Sequence, residues 1–238
     1  MDISLIASLF RARQDVYAVR WEKDGKSGYM PACKLDWEDY RKFKASGGLY
    51  KDYTKKENLP LNEEVISRHL SGRETIGIYP LLEDNTSYFI AADFDEANWQ
   101  DTILRLYQSC TEFEIPAYME RSRSGNGGHL WIFFEENLPA EQTRQVMFEL
   151  LKKSGILSPF EKEPSFDRLF PNQDSHSVNG KAYGNLIALP LNGKSLQNGN
   201  SVFLDPETFE PFPDQWEAMS RFQKLSTIRF VNLYERFE

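Results

Sequence analysis

The residues best suited to chemistry begin with a pair of acids, Asp93 and Asp95, which close an apolar stretch over residues 86–95. Because side chains alternate along a strand, both carboxylates would share one face while Phe94 points into a core. Two carboxylates so close together repel each other unless a cation lies between them, so the pair suits a divalent ion bound through oxygen. The same pattern also fits a solvated strand end, or capping of the next helix by Asp95.

A glycine-rich segment, Ser124-Gly125-Asn126-Gly127-Gly128-His129, is the second candidate. Its glycines would let backbone N–H groups approach an anion closely. Arg121 and Arg123 precede it and supply positive charge, and His129 opens the apolar stretch 129–134, where it could donate a hydrogen bond to a phosphate. The alternative is a hairpin tip with a packed histidine. The segment has neither the frame of a serine-hydrolase nucleophile elbow nor that of a P-loop.

Two further acids, Asp167 and Asp174, lie in the segment FDRLFPNQD over residues 166–174. Either could add a third carboxylate to the earlier pair. Lys194 follows the apolar stretch 184–191 and could reach a triphosphate as a point charge. Each of the three also has an ordinary structural interpretation, as a cap, a turn residue or a solvated charge.

Hydrophobic periodicity and helix punctuation place these residues on helices and strands that are joined partly by hairpins. The predicted helices are an N-terminal amphipathic one, 60–72, 98–113, 139–155 and one from Pro213 onward. The predicted strands are 15–21, 75–80, 86–95, 117–124, 129–134, 166–172, 184–191 and 201–204. The stretch 34–58, rich in Lys, Tyr and Gly, gives no clear pattern. This order favours an α+β sheet over a doubly wound parallel one.

Composition limits the classes of protein to consider. The 238 residues suit one large domain or two lobes that share a core, and 14% aromatic residues predict a core rich in rings. The net charge of −8 has the wrong sign for coating a polyanion, so nucleic acid would have to meet a local basic patch or a bound metal. Candidates for such a patch are Arg11, Arg13, Arg20, Arg121 and Arg123.

The two cysteines, Cys33 and Cys110, are far apart and support neither a disulfide framework nor a zinc site. No apolar run approaches the ~18 residues of a membrane span. The N-terminus becomes basic before its apolar stretch could serve as a signal peptide, so we expect a cytoplasmic protein.

Taken in order, DFD (93–95), SGNGGH (124–129), FDRLFPNQD (166–174) and GNLIALPL (184–191) resemble the motifs of the archaeo-eukaryotic primase superfamily. The chain looks most like the primase-polymerase domains of TOTE conflict systems and CRISPR-associated primase-polymerases, over nearly its whole length. The resemblance implies one primase-polymerase catalytic core over residues 1–238, of α+β class, with a mixed or antiparallel sheet flanked by helices. A smaller N-terminal α/β lobe would cover about residues 1–85, and an RRM-like catalytic lobe with the C-terminal helix residues 86–238.

The resemblance also implies roles for individual residues. Asp93 and Asp95 would bind two catalytic Mg²⁺ or Mn²⁺ ions together with Asp174 or Asp167, of which Asp174 is preferred. The segment from Ser124 to His129 would contact the nucleotide, with Lys194 and Arg123 adding charge. Relatives often carry a Cys-rich zinc-binding insertion near residue 33, where only one cysteine stands here. We therefore expect no zinc.

The function implied is a template-dependent DNA primase-polymerase, which extends or initiates strands from nucleoside triphosphates by two-metal catalysis. Its partners would be single-stranded or primer-template DNA, dNTPs or NTPs, and proteins such as a helicase or CRISPR or mobile-element components. Two alternatives stay open, a metal-dependent nuclease and an inactive module that binds single-stranded nucleic acid or nucleotides. The sequence leaves the choice between ribose and deoxyribose, and between priming and extension, open as well.

Overall fold

The computed structural model describes residues 2–176 and 183–237. The helices in these ranges are α1 (Ile3–Leu9), α2 (Trp37–Ala45), α3 (Glu63–Leu70), α4 (Trp99–Glu112), α5 (Ala140–Lys153), α6 (Gly193–Leu196), α7 (Gln215–Ser220) and α8 (Thr227–Phe237). The strands are β1 (Ala18–Lys23), β2 (Lys26–Pro31), β3 (Cys33–Leu35), β4 (Lys56–Asn58), β5 (Ile76–Ile78), β6 (Thr86–Asp95), β7 (Tyr118–Arg121), β8 (Gly127–Pro139), β9 (Phe166–Phe170), β10 (Ile187–Ala188) and β11 (Val202–Phe203).

A five-stranded sheet in the order β11-β7-β8-β6-β9 carries the acidic pair and the histidine. Every neighbouring pair in it is antiparallel. Strand β6 has the bounds expected for it and lies between β8 and β9. Because β6 has a neighbouring strand on each side, Asp93 and Asp95 lie on an interior strand and not on a free edge of the sheet.

A second sheet has the order β10-β5-β1-β2 and takes three of its four strands from residues 18–78; we refer to this sheet, with α1 and α3, as the N-terminal lobe. Strands β1 and β2 make a hairpin whose turn residues, Asp24 and Gly25, both have positive φ (51° and 72°), as a two-residue type I′ turn requires. The strand expected over 184–191 is reduced to β10, which pairs with β5. A segment from the second half of the chain thus completes the sheet of the first half.

Apolar cores cover both faces of the five-stranded sheet. On one face, residues such as Phe94 and Leu130 pack with helices α4, α5 and α8. On the other, Trp131 and Phe133 pack with α1, α3 and β5 of the N-terminal lobe. Phe10 of the lobe meets the Trp131 ring edge-on, with ring centroids 5.1 Å apart. The core is rich in rings, as the composition predicts, and the two lobes share it.

Residues 33–58 form a small unit of their own. Strands β3 and β4 pair antiparallel, and Asp36 caps α2 by accepting from the N–H groups of residues 38 and 39. No residue of α2 is buried. Aromatic rings tie the helix to the chain that follows it: the ring centroids of Tyr40 and Phe43 each lie 5.3 Å from that of Tyr53.

The α+β class, with antiparallel sheets flanked by helices, is confirmed. The single helix expected from Pro213 onward is wrong, since the chain forms α7 and α8 with a break between them. In this break the N–H of Leu225 donates to the Phe133 carbonyl of β8 at 2.8 Å. An extended segment bonded to the sheet therefore replaces the middle of the predicted helix.

Candidate active site

Three side chains stand side by side across three neighbouring strands. Asp93 on β6 is opposite His129 on β8, which is opposite Glu120 on β7. The Nε2 atom of His129 lies 3.4 Å from Asp93 Oδ1, and its Nδ1 lies 2.8 Å from Glu120 Oε2. The antiparallel register therefore holds the imidazole between two carboxylates.

A β-bulge brings in a third acid from β9. Phe166 and Leu169 pair with the two neighbours of Asp93 on β6, so Asp93 faces two residues of β9, Asp167 and Arg168. The extra residue shifts the alternation, so that Phe166 and Leu169 both enter the core on the helix side. Asp167 is thereby turned to the face of the acidic pair.

Asp93, Asp95 and Asp167 each offer one carboxylate oxygen within 4.8 Å of the other two. Partial loss of hydration, followed by the negative charge of Asp93, raises the pKa of Asp95 above its usual range although the residue is exposed, and the His129 charge acts in the opposite direction. Arg168 Nε donates to Asp167 Oδ2 at 2.5 Å and offsets part of the charge. An oxygen-only set with excess negative charge fits Mg²⁺ or Mn²⁺.

The charge state of His129 follows from its two acidic neighbours. Burial alone would lower the pKa of this imidazole, but Glu120 and Asp93 outweigh it and hold the pKa well above its usual range. The two carboxylates therefore favour the protonated ring, in which both nitrogens are donors. A fixed imidazolium beside the acids is well suited to hold a phosphate oxygen.

Glycines 125, 127 and 128 let the hairpin tip fit closely against the site. A Cβ atom on Gly127 would lie 2.5 Å from Asp95 Oδ1, and one on Gly128 would lie 2.4 Å from the Trp99 ring. Gly125 has a φ of 80°, in the left-handed region that favours glycine. Two of the three glycines thus serve close packing, and the third serves the turn.

A polar cavity of about 510 Å³ opens where the hairpin tip meets the N-terminal sheet. Ser124 lines it, and its hydroxyl also accepts from the N–H of Asn126 at 3.2 Å. The acids Glu22 and Glu74 line it as well. The basic residues of its wall are Arg20, Arg73, Arg123 and Lys194. With four basic residues against two acids, the wall of this cavity is locally positive although the chain as a whole is acidic.

Asp174, the preferred third ligand, lies elsewhere. Its carboxylate pairs with Arg144 of α5 and is 55% exposed. Among the described residues, Asp167 and not Asp174 gathers with Asp93 and Asp95. The geometry favours Asp167 over Asp174 as the third acid, because Asp167 lies inside the β9 ladder beside β6, whereas Asp174 lies beyond the end of the strand.

The five arginines expected along a groove do not lie together. Arg20 and Arg123 line the cavity. Arg11 lies over the Tyr88 ring at 3.5 Å, Arg13 forms an ion pair with Asp15 at 2.6 Å, and Arg121 donates to the Gly199 carbonyl at 3.2 Å. The cavity wall also takes in Arg73, which the sequence analysis did not select.

Glu120 and Arg168 are the site residues that the sequence analysis missed. Glu120 lies in the middle of a predicted strand and is only 2% exposed, which is unusual for an acidic side chain. A readable signal was available, since an acid at position 120 alternates with the apolar Met119 and so points to the opposite face. Nothing in the sequence indicated that this face was the one with His129.

None of the helices over residues 2–176 and 183–237 is long and apolar enough to cross a bilayer.

The five-stranded sheet thus carries three converging carboxylates beside a glycine-rich hairpin. The family model for the TOTE conflict system, Archaeo-Eukaryotic Primase domain, matches residues 1–233. The chain belongs to this family, as the motifs indicate. No protein in the comparison with curated proteins matches it.

Two solved structures show a likeness to the chain. The polymerase domain of Mycobacterium tuberculosis ligase D, in complex with DNA, is 11% identical with a TM-score of 0.45, over 98% of this chain and 85% of that one. The archaeo-eukaryotic primase domain of the cyanophage S-2L primase-polymerase is 12% identical with a TM-score of 0.34, over 82% of this chain and 95% of that one.

Proposed function

We propose that the protein is a template-dependent nucleotidyltransferase, a DNA primase-polymerase that adds nucleotides from nucleoside triphosphates. The observation that carries the proposal is the gathering of Asp93, Asp95 and Asp167 within 4.8 Å, next to His129. Family membership supports the class of reaction. The basic cavity lined by Lys194 supports a triphosphate as substrate.

In the proposed reaction, the 3′-hydroxyl oxygen of a growing strand attacks the α-phosphorus of the incoming nucleotide. One O–P bond forms, the bond from the α-phosphorus to the bridging oxygen breaks, and pyrophosphate leaves while the hydroxyl proton is lost to solvent. Divalent ions bound at this site would lower the pKa of the hydroxyl and stabilise the charge on the leaving group.

The chain's own residues supply binding and orientation. Asp93, Asp95 and Asp167 would hold Mg²⁺ or Mn²⁺ through carboxylate oxygens. His129, as a cation, would donate a hydrogen bond to a phosphate oxygen, and so neutralise charge without needing to release its proton. Ser124 and the hairpin tip would place the nucleotide beside the acids.

The cavity offers the phosphates a second set of contacts. Arg123, near the hairpin tip, and Lys194, in α6, both line it. Arginine gives a planar, bidentate contact with phosphate, whereas lysine acts as a point charge. Binding of DNA and nucleotide should consequently weaken as salt rises.

One assay tests the proposal against its alternatives. Labelled primer-template DNA and, separately, unprimed single strands are incubated with Mg²⁺ or Mn²⁺ and either dNTPs or NTPs. Longer products support polymerase activity, and products on the unprimed strand support priming. Shorter products that do not require nucleotides would indicate a nuclease, and unchanged DNA that is bound would indicate a binding module. Either of the last two results refutes the proposal.

A further inference from the structure

Glu120 is a buried carboxylate that the proposed reaction does not use directly. Its Oε2 atom accepts from two donors on the neighbouring strand, His129 Nδ1 at 2.8 Å and Trp131 Nε1 at 2.9 Å. A buried carboxylate is destabilising unless it is paired and hydrogen-bonded. That both donors converge on one oxygen indicates a built arrangement and not a chance contact.

The strand register explains why the donors converge. His129 and Trp131 are two residues apart on β8 and so share one face, and Glu120 on β7 is directly opposite His129. The Trp131 ring meets the imidazole nearly edge-on, at 81° and 5.9 Å between centroids. The indole is itself fully buried, which leaves the carboxylate little freedom to turn away.

The two nitrogens of His129 face different groups. With Nδ1 bonded to Glu120, the Nε2 edge is directed toward Asp93 and the acidic cluster. Without a partner at Nδ1, rotation of the ring by about 180° about its Cβ–Cγ bond would be available, since this terminal torsion is broad and roughly two-fold. The carboxylate on β7 therefore decides which edge of the imidazole reaches the reaction cleft.

We propose that Glu120 is a positioning residue, which acts through His129 by fixing the ring with its Nε2 edge toward the acidic cluster. This inference rests on the proposed nucleotidyl transfer for its effect on rate. The orientation of the ring is independent of the proposed function and can be measured without turnover. Outer partners of metal-binding histidines, which orient the ring in the same way, change metal affinity or activity by about 10–100-fold when they are removed.

The test compares three variants by NMR of the imidazole nitrogens in the metal-free full chain, which contains only three histidines. Glu120→Leu removes the acceptor and keeps a similar volume. Glu120→Gln keeps an oxygen that can accept from Nδ1. Trp131→Phe removes the other donor and is the matched control. We expect a hydrogen-bonded Nδ1 proton on His129 in the wild type, Glu120→Gln and Trp131→Phe, and its loss in Glu120→Leu.

Primer-extension kinetics give the second readout. We expect Glu120→Leu to lower kcat by about 10–100-fold with little change in KM for primer-template, and Glu120→Gln to recover most of this loss. Trp131→Phe should lower kcat much less than Glu120→Leu does, since the carboxylate keeps its hydrogen bond with His129 Nδ1 when one neutral donor is removed. Thermal unfolding of each variant shows whether a loss of activity reflects a smaller folded fraction.

The outcomes separate this inference from the proposed function. A wild type with the Nδ1 signature but no strand extension would refute the proposed function and support the ring orientation assigned here. A wild type without that signature overturns the inference, even if Glu120→Leu does not fold. Full activity in a folded Glu120→Leu, or equal losses in it and Trp131→Phe, would overturn it as well.

Discussion

Exchange of Asp167 for asparagine separates the two candidates for the third metal ligand. Asp167 lies within 4.8 Å of the acidic pair, whereas Asp174 is paired with Arg144 at the surface. Asp167→Asn removes one charge from the cluster and keeps the size of the side chain. Asp174→Asn is the matched control, because it makes the same chemical change outside the cluster.

The magnitude follows from the charge removed. At an effective dielectric constant of about 20, two unit charges about 4 Å apart interact by about 4 kcal/mol. Since each ~1.4 kcal/mol changes a rate tenfold, the full effect would be about 10³-fold. Arg168 offsets part of the Asp167 charge, so we expect kcat to fall by about 10²–10³-fold. Asp174→Asn leaves the three clustered carboxylates intact, so kcat should stay nearly unchanged.

The assay is single-nucleotide extension of a labelled primer at saturating Mg²⁺ and, in parallel, Mn²⁺. Binding of Mn²⁺ is measured separately by calorimetry and should weaken in Asp167→Asn alone. Equal rates for Asp167→Asn and the wild type would refute the assignment of this residue. A larger loss in Asp174→Asn than in Asp167→Asn would instead restore the preference expected from the sequence.

Three further predictions concern metal, stability and packing. Because the pKa of Asp95 is raised in the folded protein, its protonated carboxyl stabilises the fold at acid pH, and this stabilisation is lost as pH rises through the folded pKa. Asp95→Asn should therefore raise the Tm of the metal-free protein at pH 7 and change it little at about pH 4. After all metal has been removed by a chelator, addition of Mg²⁺ or Mn²⁺ without zinc should restore strand extension. The reason is that aromatic packing around Tyr53 holds together the unit of residues 33–58 that contains Cys33. A requirement for zinc would contradict this prediction. Gly127→Ala should lower both primer extension and the free energy of unfolding, the latter by about 1–3 kcal/mol, because its Cβ would overlap Asp95; unchanged thermal unfolding would count against that contact.

The long, strongly patterned elements could be predicted from the sequence. Strand 86–95 has the expected bounds, and the helices expected over 98–113 and 139–155 are α4 and α5, each shorter by one or two residues at its ends. Their apolar spacing and punctuation are local properties of the chain. The shared face of Asp93 and Asp95 follows from alternation in the same way.

What could not be predicted depends on contacts between distant segments. Asp167 reaches the acidic pair because of a bulge in its pairing with β6, and no local pattern in residues 166–174 indicates where that extra residue lies. The contact of His129 with Glu120 likewise depends on the register of two strands. Strand β2 is a different case, since the Asp24-Gly25 dipeptide before it is a readable turn signal that the sequence analysis passed over.

The five-stranded sheet has an apolar layer on each face, and one of these layers is built jointly with the N-terminal lobe. Cutting the chain near residue 85 would consequently leave Trp131 and Phe133 facing water on one fragment and remove β10, the partner of β5, from the other. Neither fragment would be a self-sufficient folding unit. Insertions or deletions around α2, which has no buried residue, should be tolerated far better than a division of the chain near residue 85.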